Sequence, residues 1–184
     1  MIEKFYVGEY TIEINYDPDP ENPATAFDNL GEITYNGRSR YVLGTIGIDN
    51  DEYDRVGQKI DTGAYIGLPV WAYVHGSSTI RAAASNPFSC PWDSGQSGWV
   101  YAPREKVLLE FGGPAAKRIT KRMKEAALSA LRAEVETFNQ YINGEIYGYT
   151  IKDANGERVD SCWGFYGLDA CRDEASDVVM NLQL

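Results

Sequence analysis

Histidine is almost missing from this chain. His75 is the only one among 184 residues, which leaves a single ordinary candidate for acid–base chemistry near neutral pH. Cysteine is nearly as scarce. Cys90, Cys162 and Cys171 leave one thiol over in any disulfide scheme, which excludes a disulfide-stapled miniprotein and suits a reducing cytoplasm. Their spacing lacks the close Cys-x-x-Cys pair that most structural zinc sites use, so with His75 they do not read as a zinc centre. No metal and no cofactor are expected. No apolar run approaches the ~18 residues that a membrane-spanning helix needs. The start, Met1-Ile2-Glu3-Lys4, lacks the basic-then-apolar order of a secretory leader. Repeats and low-complexity tracts are missing too. What is present, 43% hydrophobic and 24% charged residues, is the composition of an ordinary globular chain, read here as one domain over 1–184.

Charge is sorted along the chain. The formal net charge is −10, yet residues 1–60 carry 12 acids and 5 bases, 61–103 two and one, 104–133 three and eight, and 134–184 ten and three. Two acidic blocks thus flank a nearly neutral block and a basic one. A net negative protein suits a basic partner, such as the groove of a nucleic-acid enzyme. A globule of this length spans roughly 40 Å, over which duplex DNA carries about 24 charges. Only a segregated acidic face could copy that density; dispersed, the charge merely keeps the chain in solution.

The pattern of elements predicts an α+β fold with a mostly antiparallel sheet, a long amphipathic helix that is bent or broken, and a C-terminal helix. Residues 5–16 alternate as one half-buried strand, and the acidic, proline-rich stretch 17–23 is a loop. Asn36-Gly37 predicts a tight hairpin between 33–35 and 41–43. Residues 68–75 read as a buried central strand paired with 79–84, and 86–98 as a loop leading to a short strand at 99–101. Pro103 opens a helix that Gly112-Gly113 closes. A helix then runs from Pro114 to Ile142, with one apolar stripe on Ile119, Met123, Ala126 and Ala130 and a rotated one on Leu131, Val135, Phe138 and Ile142. That drift predicts a break near 126–128. A hairpin turned at Asn155-Gly156 and a helix over 168–182 complete the chain.

Four groups of residues could carry chemistry. Asp49, Asp51, Glu52 and Asp54 form an acidic face, read as a solvated loop or helix start. A calcium loop would need a central glycine and a closing glutamate, and Ile60 stands where the glutamate belongs. Cys90 with His75 could form a nucleophilic pair, although no signature surrounds Cys90. Trp92, Asp93, Asp160, Trp163 and His75 come from the two most distinctive strings and could line a pocket, the aspartates otherwise capping amides. Cys162, beside Trp163, reads as an interior thiol. The basic block is sharper. Lys117, Arg118, Lys121 and Arg122, with Lys124 at the edge, fall on one helix face in its first turns, where the helix dipole favours acids instead. That placement points to acidic neighbours, to self-association or to an anionic partner.

The strings Asn86 to Gly98 (NPFSCPWDSGQSG), Val135-Glu136 through Gln140-Tyr141, Gly144 to Tyr149 and Asp160 to Gly167 (DSCWGFYG) resemble those of a family of small uncharacterised proteins of phages and conjugative elements in Gram-positive bacteria. The resemblance covers about residues 65–180, with the acidic segment 1–60 outside it, and it transfers no catalytic residue. It implies a host bacterial cytoplasm and, by association, a counter-defence role. The expected function is a non-enzymatic inhibitor of a nucleic-acid-targeting defence nuclease such as a CRISPR effector with its guide RNA. Its acidic faces would occupy the DNA groove while its basic helix face contacts RNA or an acidic surface. The alternatives are a small nuclease or nucleotide hydrolase using Asp93, Asp160 and His75, and a single-strand-binding accessory that stacks bases on Trp92 and Trp99.

Overall fold

The computed structural model describes residues 1–113 and 115–182. These form, in chain order, β1 (Glu3–Val7), β2 (Tyr10–Tyr16), the single turn α1 (Pro23–Ala26), β3 (Glu32–Asn36), β4 (Ile46–Ile48), α2 (Asn50–Asp61), β5 (Tyr65–His75), β6 (Ser77–Ala82), β7 (Ser94–Pro103), α3 (Arg104–Gly112), α4 (Lys121–Ile142), β8 (Ile146–Lys152), β9 (Arg158–Tyr166) and α5 (Leu168–Leu182). The fold is α+β, as the sequence predicts. The chain divides into two compact units, one made of Met1–Pro23 with the segment from Gln140 onward, the other of Ala24–Asn139. The acidic stretch 1–60 is therefore shared between the units.

The first unit is an antiparallel sheet in the order β1-β2-β8-β9, with α5 on one face. Cys171, Ala175 and Val179 fall four residues apart, so they form one stripe on α5. They are buried with Ile12, Ile14, Tyr149 and Ile151. The single strand expected over 5–16 is in fact a hairpin. Gly8, at φ 60°, turns the chain so that Val7 pairs with Tyr10, a conformation open to glycine because it has no Cβ. The change from odd apolar positions (Phe5, Val7) to even ones (Tyr10, Ile12, Ile14) marks that turn. The 155–156 hairpin and the 168–182 helix form as expected.

The second unit holds a five-stranded sheet in the order β4-β3-β7-β5-β6. The expected 36–37 hairpin does not form. Neither Asn36 nor Gly37 takes a positive φ. Asn36 Oδ1 instead accepts the Arg38 amide at 3.0 Å, and β4 returns parallel to β3. Strand β7 starts at Ser94, well before the expected 99. Its glycine-rich half looks like loop in isolation, but β5 supplies the ladder, and Gly98 lies where a Cβ would collide with the Thr34 carbonyl.

Helix α4 also differs from expectation. It is one uninterrupted helix that starts at Lys121, with Lys117 and Arg118 in the segment before it. Thr120 sets the start, its Oγ1 accepting the Met123 amide at 3.2 Å. The buried positions Met123, Ala127, Leu131 and Val135 are each four apart, so the stripe winds gradually, about 40° per step, around one continuous helix and needs no break. Pro114, the expected first residue, lies outside the described residues. Two polar side chains tie α4 into its unit. Glu134 accepts the amides of Leu30 at 2.6 Å and Gly31 at 3.0 Å, and Asn139 Oδ1 accepts the edge amide of Ile80 at 2.8 Å.

Candidate functional site

The conspicuous loop after β6 is held by its own polar side chains. Asn86 Oδ1 accepts the Phe88 amide, Asn86 Nδ2 donates to Ser94 Oγ, and Ser94 Oγ donates to the Cys90 carbonyl. The Val74 amide donates to the Asp93 carbonyl at 2.8 Å, which sets Asp93 beside the end of β5. There Asp93 Oδ2 lies 3.1 Å from His75 Nδ1 and receives the Cys90 thiol at 3.5 Å. The Tyr73 ring stacks on His75 and also meets Phe88. The carboxylate thus bridges thiol and imidazole. Cys90 donates to Asp93, not to His75, so in place of the nucleophilic pair that the sequence permits there is a carboxylate that braces the loop. The His75 side chain is 71% exposed, and so open a contact contributes little to stability.

The structure therefore brings together His75 and Asp93. Trp92 is 93% exposed and projects into solvent. Asp160 and Trp163 lie on β9 in the other unit. Asp160 accepts the Tyr149 hydroxyl at 3.3 Å, and the Trp163 ring covers Gly148, where a Cβ would stand 2.1 Å from it. Cys162 is exposed, contrary to the interior reading, because β9 is the last strand of its sheet. Trp99 is turned inward. Its Nε1 donates to the Tyr53 carbonyl at 3.1 Å, and its ring packs against Tyr53, which removes it as a base-stacking platform. Among the described residues, no group of three His, Cys, Asp or Glu is placed to hold a metal ion.

The acidic group opens α2. Asp49 is its N-cap, accepting the Glu52 amide at 2.8 Å, and Glu52 pairs with Arg55 at 3.1 Å. Asp51 and Asp54 remain at the surface. Acids in a first turn complement the helix dipole, so folding alone accounts for Asp49, Asp51 and Glu52, with Asp54 following in the next turn.

The basic group has no such account. Lys117, Arg118, Lys121, Arg122 and Lys124 all lie at the surface. Lys121 makes a long, open pair with Glu125 at 3.8 Å, while the other four have no ion-pair partner among the described residues. Only Lys121, Arg122 and Lys124 lie on α4. Beside them is an open groove of about 520 Å³ lined by Phe111, Thr120, Arg122, Met123 and Ala126. Neither Phe111 nor Thr120 is a candidate on sequence grounds. The one signal for Phe111 is a large apolar residue directly before the Gly112-Gly113 stop. A second groove of about 360 Å³ sets Arg81 and Arg132 beside Glu136.

Fold and surface together define a two-unit α+β protein with a cationic segment bordering an apolar groove. No protein-family model, curated protein or solved structure matches the chain.

Proposed function

We propose that this chain is a non-enzymatic counter-defence protein of a phage or conjugative element. It inhibits a nucleic-acid-targeting bacterial defence nuclease, such as a CRISPR effector with its guide RNA, and it binds through residues 117–124. One observation carries the reading: Lys117, Arg118, Arg122 and Lys124 are surface cations without ion-pair partners among the described residues. Cations in a helix's first turn oppose its dipole by about 0.3–1 kcal/mol each, so the place of Arg122 and Lys124 at the start of α4, with Lys117 and Arg118 just before it, serves something other than the helix. The family-like strings at 86–98 and 160–167 supply the mobile-element context.

Phage plating on a host with an active CRISPR system tests this. Expression of the chain is expected to restore plating. The quadruple variant Lys117→Glu, Arg118→Glu, Lys121→Glu, Arg122→Glu is expected to abolish that protection while keeping its helical circular dichroism, because positions 117 and 118 precede α4 and acids at 121 and 122 suit its first turn. Undiminished protection by the variant would remove the basic segment from the mechanism. Degradation of RNA or DNA by the purified protein alone would replace the inhibitor with an enzyme.

A further inference from the structure

We infer, on the reading of residues 117–124 as a partner-binding surface, that the groove beside them takes an acidic, amphipathic protein segment rather than a nucleic-acid strand. The floor of the groove is apolar and soft. Met123 and Ala126 come from successive turns of α4, and Phe111, 37% exposed, closes the side from the end of α3. Thr120 spends its hydroxyl capping the Met123 amide, so Arg122 is the charged group in the wall. Methionine adapts to varied apolar shapes and recurs in grooves that receive amphipathic helices.

Charge selects the occupant. Arg122 lines the wall, and Lys117, Arg118 and Lys124 stand within five positions of it along the chain; all four are cations without ion-pair partners among the described residues, and the N-terminus of the 22-residue α4 adds the positive end of its dipole. A segment with carboxylates along one side and a bulky apolar residue on the other satisfies both wall and floor. A nucleic-acid strand satisfies only the wall. Single-strand binders offer successive aromatic platforms along a charged track, whereas among the described residues Phe111 is the one ring lining this groove, and Trp99 is held inward against Tyr53.

Fluorescence polarisation with three labelled probes decides it: a helical peptide with glutamates on one face and leucines on the other, a glutamate–glycine peptide of equal charge, and oligouridylate. The full chain is expected to bind the first at least about tenfold more tightly than the other two, a difference of about 1.4 kcal/mol, with affinity falling as salt rises. Ala126→Trp, which fills the groove without changing charge, and Phe111→Ser, which opens its side, are each expected to weaken the amphipathic peptide by about tenfold or more. Equal or tighter binding of oligouridylate would overturn the inference in favour of a nucleic-acid surface. Unchanged peptide affinity in both variants, or no binding of any probe, would remove the groove as a site. Phage plating separates the two levels. Protection retained by Ala126→Trp after loss of peptide binding sinks the groove and leaves counter-defence standing. Peptide binding by a chain that protects no host sinks counter-defence and supports the groove.

Discussion

Three thiols in one short chain meet three different environments, and their chemistry follows. Burial within the α5 stripe pushes the Cys171 thiol up to about 11, so almost none of it is thiolate at neutral pH. Cys162 is exposed on β9, and Cys90 is half-buried with its thiol turned toward Asp93. A thiol reagent applied to the folded chain is expected to modify Cys162 first, Cys90 more slowly, and Cys171 only on unfolding. Early labelling of Cys171, read by mass spectrometry, would contradict its place in the core. Glu13 carries a pH dependence. The Lys152 ammonium, 2.6 Å away, holds its carboxyl below the usual range against the opposing cost of burial, with Lys4 assisting at 3.3 Å. A carboxylate depressed in the folded state contributes stability above its unfolded value, and that contribution is lost as pH falls through the depressed one. Urea midpoints of the wild type and Lys152→Met should therefore differ at neutral pH and converge as pH drops below about 4. A gap that widens in acid would refute the pairing.

Helix ends are where local chemistry is most readable. Asp49 caps α2 through the Glu52 amide, and Asp49→Ala is expected to cost about 1 kcal/mol, measured by chemical denaturation. At α4 the charges run the other way. Arg122→Glu should raise the thermal midpoint, since the acid would face the positive end of the helix; a lowered midpoint would mean that this cation has a partner within the fold. Further along the same helix, Glu134 is a carboxylate that burial pushes above its usual range, although two backbone amides donate to it. Its replacement by alanine leaves the Leu30 and Gly31 amides without their acceptor, and a loss of about 1–3 kcal/mol is expected. Legibility at this scale varies for a physical reason. The α5 boundaries are readable because an apolar stripe at helical spacing and a flanking glycine are local signals. The start of α4 is hidden because Lys117 and Arg118 continue the helical spacing, and only Thr120 interrupts it. The parallel return of β4 is not readable either, since Asn36-Gly37 permits the hairpin angles without compelling them.

At the scale of the whole molecule, the acidic and basic blocks behave differently once folded. The acids at 49–54 are absorbed by the start of α2, whereas the cations at 117–124 remain without ion pairs among the described residues apart from Lys121. Partner binding through that segment should weaken as salt rises, because exposed charges act over a Debye length of about 8–10 Å. Titration calorimetry with a captured partner at increasing salt measures this, and a salt-independent affinity would assign recognition to apolar contacts alone.

Composition, periodicity and turn chemistry by themselves determined the α+β class, the hairpin at 155–156, the C-terminal helix and the segregation of charge, because each depends on residues within a few positions of one another. The meeting of His75 with Asp93, the inward turn of Trp99 and the groove between Phe111 and Met123 were decided only by tertiary structure. The first two pairs lie 18 and 46 residues apart and the groove spans two helices. Strand pairing and helix packing, which no local pattern encodes, bring them together.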